Sequence, residues 1–155
     1  MSDTIRSRLE SRSISLPEAA APAANYVPYM RTGNLLYISG QLPLGADGLT
    51  HTGKLGSDLS VADGQAAARQ CAINILAQAN AALGGDLERI VQLVRITGFV
   101  AGLVDFTEHH LVVNGASDLL AEALGERGRH SRAAVGVAAL PLNASVEVDA
   151  IIEVK

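Results

Sequence analysis

Residues 61–100, VADGQAAARQCAINILAQANAALGGDLERIVQLVRITGFV, decide the fold. The stretch begins as a helix. Ser60 with Asp63 three residues on has the form of a capping box, and Gly84-Gly85 stops the run, which predicts a helix over 61–83. Ala68, Ala72, Ile75, Ala79 and Leu83 recur at steps of three or four and draw one narrow apolar stripe. Its small alanines let the helix lie close on a sheet. From Ile90 to Val100 the pattern changes to a β-branched run that is apolar on both faces, as a central strand requires.

Working outward, Gly33-Asn34 marks a hairpin, with Tyr26, Val27 and Tyr29 before the turn and Leu35, Leu36, Tyr37 and Ile38 after it. Residues 44–58 read as loop. A second helix is expected within 105–125, ending near Gly125 and carrying Leu111, Val112, Leu119, Leu120, Ala123 and Leu124. Two strands close the chain, SRAAVGVAAL and SVEVDAIIEVK, separated by Pro141-Leu142-Asn143-Ala144. In the last, Val146, Val148, Ala150, Ile152 and Val154 alternate with Ser145, Glu147, Asp149 and Glu153, and only Ile151 breaks the rule. The order hairpin, helix, strand, helix, hairpin predicts a single α+β domain over 26–155, with two helices on one face of a mixed sheet. Residues 1–25 form an N-terminal extension. In it a short helix capped by Asp3 or Ser2 makes one weak docking contact through Ile5 and Leu9, followed by a Pro/Ala-rich lead-in.

Composition narrows the function. The chain has 48% hydrophobic and 18% charged residues, which excludes a disordered chain. Its mean hydropathy of +0.24 comes without any apolar run long enough for a membrane span. A sheet face left bare by the helices, together with this apolar excess, predicts subunits packing sheet to sheet. Net charge is −4 with 3% aromatics and no Trp. That argues against a nucleic-acid surface, which combines basic stripes with aromatic platforms. The one basic cluster, Arg127, Arg129, His130 and Arg132, is too short to follow a phosphate backbone. Cys71 stands alone, so no intrachain disulfide forms, and MSDTIRSRLESRS lacks a signal-peptide core, which makes cytoplasm the expected compartment.

The chemistry is expected around Arg132. It lies in a strand of Ala, Val, Gly and Leu, where an unpaired cation is costly, and its planar fork suits a carboxylate. Glu147 is the second polar group in a nearby apolar strand. If the two closing strands pair as a hairpin, both side chains share one face. A plain Arg–Glu or Arg–Asp ion pair at an interface is the competing reading.

The segment Arg132, Val135, Val137, Leu140, Pro141, then Glu147-Val148-Asp149-Ala150-Ile151, resembles the closing signature of the RidA/YjgF (reactive intermediate deaminase) family. Pro28-Tyr29, Ile38-Ser39-Gly40-Gln41-Leu42-Pro43 and Asn114 within VVNGASDLL resemble three further blocks of that family, in the same order. The resemblance implies a Bacillus chorismate mutase-like fold: a homotrimer with sheets inward, helices outward and clefts between subunits. It implies cofactor-free hydrolysis of 2-imino or enamine acids to 2-oxo acids and ammonia. Arg132 would clamp the substrate carboxylate, and Glu147 would position water or move its proton. Tyr29, Ser39, Gly40, Asn114 and Ala134 would line the cleft, with no metal. An imine carbon is already electrophilic, so orientation and one placed water suffice.

The sequence departs from the family where its deaminases often carry cysteine and glutamate, at Ala134 and Gly136, and again at Met30-Arg31, in a longer DFTEHHLVVN segment and in the N-terminal extension. These features resemble a longer branch often labelled endoribonuclease by homology. They keep open a trimeric binder of small carboxylates without turnover and, against the charge balance, an endoribonuclease. Arg31 is a second cation near the cleft, or it points to solvent. His109 and His110 are adjacent and diverge on a helix, so they do not chelate one metal. Asp105 with His109 has chelating spacing but reads as a solvated helix start. His51 has no evident partner, His130 is open between cleft and surface, and Cys71 is a small core filler.

Overall fold

A computed structural model describes residues 2–155. Helix α1 (Ile5–Ser11) is followed by β1 (Tyr29–Thr32), β2 (Leu35–Gln41), the two-residue strands β3 (Leu44–Gly45) and β4 (Gly48–Leu49), and α2 (Val61–Ala82). Then come β5 (Ile90–Ala101), α3 (His109–Leu124), β6 (Ser131–Val137) and β7 (Val146–Val154). The main sheet has the order β1-β2-β7-β5-β6, with α2 and α3 on one face. The expected α+β architecture is present. Small differences are local. The first strand begins at Tyr29, a miniature hairpin sits inside the expected loop, and the α1 cap is Thr4, whose side chain exchanges bonds with Ser7.

The closing hairpin is not formed. β6 runs parallel to β5, with Arg132 opposite Ile96, while β7 lies antiparallel between β2 and β5. The cause is the helix between them: a strand, a helix on one face and a second strand close a parallel crossover. β7 fits the interior because alternate residues from Val146 to Val154 are buried, whereas Ser131–Val137 has none and suits an edge.

Helix α1 does more than the single weak contact expected. Ile5 and Leu9 are buried in the same core cluster as α2, α3 and the sheet. The amide of Ile5 donates to Glu88 Oε1 at 2.6 Å, and Glu88 pairs with Arg127 at 2.9 Å.

The two long helices touch through glycine. A Cβ at Gly115 would run into the carbonyl of Gln65 on α2, and one at Gly64 would press on Val112. Because the obstacle at Gly115 is backbone, it cannot rotate away. Gly115→Ala is expected to cost about 3 kcal/mol, a Tm drop on the order of 10 °C by calorimetry. An unchanged Tm would mean that the helices can separate freely.

Candidate functional site

Arg132, Ala134 and Gly136 alternate along β6 opposite Ile96, Gly98 and Val100, so they face the helices. Here Arg132 meets α3: its Nη1 donates to Ser117 Oγ at 3.0 Å and its Nη2 to the His110 carbonyl at 2.9 Å. Positions 110, 114 and 117 share one face of a helix, which places half-buried Asn114 between the two anchors. None of the four ion pairs among the described residues involves Arg132. A guanidinium has five N–H donors, so three remain for a ligand. Further along the row, Ala134 packs on the core, and Gly136 borders a groove of about 600 Å³ with Lys54, Leu103, Val104, Phe106 and His109. His109 occupies the space that a side chain at 136 would fill.

A second group forms around β2. The register slips between Ile38 and Gln41, a bulge that takes Ser39-Gly40 out of the regular ladder. Ser39 Oγ donates to the Val27 carbonyl at 2.8 Å and its amide to that of Pro28 at 3.0 Å, fixing the bulge against the lead-in. A Cβ at Gly40 would overlap Glu147 Oε1, so a larger residue here would displace the Glu147 carboxyl. Half-buried Tyr29 stands opposite Ile38 at the β1 edge and packs on the core.

The two groups are apart in one protomer. Glu147 alternates with buried Val146 and Val148 and so points to the helix-free face, opposite to Arg132. The expectation that they share a face fails with the hairpin. Tyr29 and Arg132 lie on strands at opposite edges of five, about 19 Å apart at the usual strand spacing. Arg132, Asn114 and Ala134 are together at one edge, while Gly40 meets Glu147 of the central strand on the helix-free face, and Tyr29, opposite buried Ile38, stands at the far edge on the helix side.

Burial raises the pKa of Glu147, and the charge of Asp149 adds to it. A carboxylate raised in the folded state costs stability when ionised, and the cost disappears as pH falls below the ordinary value of 4.5. Glu147→Gln is therefore expected to have a higher Tm than wild type at neutral pH, with the gap closing towards pH 4.5. Parallel melting curves that never converge would contradict this.

The other candidates resolve by geometry. The basic cluster disperses: Arg127 holds Glu88, Arg129 is an exposed partner of Glu126, and His130 turns to Ser117. Arg31 Nε donates to the Gly33 carbonyl of its own turn at 3.1 Å and is exposed. Among the described residues no three His, Cys, Asp or Glu side chains gather to hold a metal, and no helix is long and apolar enough to cross a membrane. Sequence reading missed Ser117 and the His110 carbonyl. Helical spacing from Asn114 was the available signal for both.

A family model described as YjgF/chorismate mutase-like, putative endoribonuclease matches residues 6–154. Protein TCP17 of Trypanosoma cruzi is 50% identical, covering 98% of this chain and 95% of its own. Among solved structures, Atu1372 of Agrobacterium tumefaciens, of unknown function, is 54% identical with a TM-score of 0.92, covering 99% of this chain and 94% of its own. RidA from an Antarctic Psychrobacter is 30% identical with a TM-score of 0.60, covering 88% and 94%.

Proposed function

This chain belongs to the YjgF/RidA family, and on that basis we propose that it hydrolyses reactive 2-imino or enamine acids to 2-oxo acids and ammonia, without a cofactor, in clefts between the subunits of a homotrimer. The observation that carries the reading is Arg132: a cation with no acidic partner among the described residues, fixed by two hydrogen bonds and left with unused donors. A substrate carboxylate supplies the missing anion. The placement of Arg132 and Glu147 on opposite faces of one sheet supports assembly by a second copy, because one protomer does not bring the two side chains together.

In this scheme Arg132 orients the imino acid, with Asn114 beside it and Ala134 as floor. Glu147 comes from the neighbouring subunit with Tyr29 and the Ser39-Gly40 backbone. Its raised pKa suits it to take a proton from the attacking water and return it as ammonia leaves. The test is ammonia release from an imino acid generated in place by an amino-acid oxidase. Wild-type protein should accelerate it over buffer, and equal rates would overturn the reading.

A carboxylate-binding protein without turnover is the second reading. It draws support from Ala134 and Gly136, which offer no polar side chain beside the clamp. Thermal stabilisation by carboxylates with no ammonia release would select it.

A further inference from the structure

We propose that Ser117 and His130 are positioning residues that fix the Arg132 fork for a carboxylate, acting as a single hydrogen-bonded chain. The inference rests on the reading of Arg132 as the substrate clamp. Ser117 Oγ lies 3.0 Å from Arg132 Nη1 and 2.9 Å from His130 Nε2, and His130 Nδ1 lies 2.6 Å from the Gly128 carbonyl. The direction of the chain follows from what each group can do. A carbonyl only accepts, so Nδ1 carries the imidazole proton. In neutral His130, Nε2 is then an acceptor, and the Ser117 hydroxyl donates to it. Donating away its one proton turns the oxygen's lone pairs towards Arg132, which can only donate.

Each link polarises the next in the same sense, and the hydroxyl becomes a better acceptor for the guanidinium than an isolated serine. The His110 carbonyl holds the other arm of the fork at 2.9 Å. With both arms fixed to one helix, a long flexible side chain loses its rotamer freedom before the ligand arrives. Less ordering entropy is then lost on binding. Of the neighbouring basic residues, Arg132 shares Ser117 with His130, Arg127 is held by Glu88, and Arg129 is turned to Glu126 in solvent.

The experiment titrates 2-oxobutanoate into the full chain by calorimetry, for wild type, Ser117→Ala, Ser117→Thr and Arg132→Ala. Ser117→Ala should weaken binding about tenfold, and Ser117→Thr, which keeps the hydroxyl, should restore it to within about twofold. Nitrogen NMR of the wild-type imidazoles should show the neutral form of His130 as the Nδ1–H tautomer, a readout that needs no variant to fold. Full affinity in Ser117→Ala while Arg132→Ala loses binding, or an Nε2–H tautomer, would overturn the positioning chain and leave the clamp standing. Absent binding in wild type, or full affinity in Arg132→Ala, would overturn the clamp and the chain with it.

Discussion

Arg132→Ala is expected to lower kcat/KM for a 2-imino acid by at least about a hundredfold, the largest single loss in the molecule. The side chain supplies the only guanidinium facing α3 from β6, and its remaining N–H donors have no other anion among the described residues to satisfy them. Lysine is a weak replacement, because a point charge on a flexible stem cannot bridge Ser117 and the His110 carbonyl while gripping two carboxylate oxygens. Arg132→Lys should therefore recover only a small part of the loss. The change should leave the fold intact: Arg132 is half-buried and forms no ion pair, so Tm is expected to move by a few degrees at most. Progress curves of ammonia release, run beside melting curves, check both halves. Near wild-type kcat/KM in Arg132→Ala would remove the clamp from the mechanism.

The second large effect is complementation between two inactive variants. Arg132 and Glu147 face opposite sides of one sheet, so a site that uses both takes them from different copies. Arg132→Ala and Glu147→Gln should each be nearly silent alone. Unfolded together in equal amounts and refolded, they form interfaces in which an intact arginine from one copy meets an intact glutamate from another. Random mixing in a cyclic trimer makes about a quarter of the clefts complete, so activity should return to about that fraction of wild type. Simple mixing without subunit exchange should restore nothing. Refolded mixtures that stay as inactive as their parents would place both residues in one protomer's site, and an active Glu147→Gln parent would leave Glu147 outside it.

The elements that the sequence made legible share a physical cause. The α2 span, its Ser60–Asp63 cap and its stop at Gly84-Gly85 are local, and so are the Gly33-Asn34 turn and the existence of β5, although β5 buries only one face and leaves Val91 and Val94 of the other exposed. The path of β7 is not local. Its burial alternation says that one face is buried but not which strands flank it, and it lies between β2 and β5, far from both in sequence. Residues 102–130 between β5 and β6 did contain the clue, since a helical crossover forces parallel strands. Reading the last two strands as a hairpin passed over it. The site divided in the same way. Family-like blocks marked Arg132, Glu147, Ser39-Gly40 and Asn114, whereas Ser117 and His130 gain their meaning only from the approach of α3 to β6.

Cys71 lies fully buried on α2, its thiol directed at the Val146 carbonyl 3.7 Å away, and burial pushes its pKa well above the ordinary value. Such a thiol is inert while the chain is folded. The protein thus carries one built-in stopwatch of its own opening. Labelling by an aromatic disulfide reagent proceeds only as fast as α2 lifts from β7, so the kinetics of that colour change track the lifetime of the native core rather than oxidant exposure.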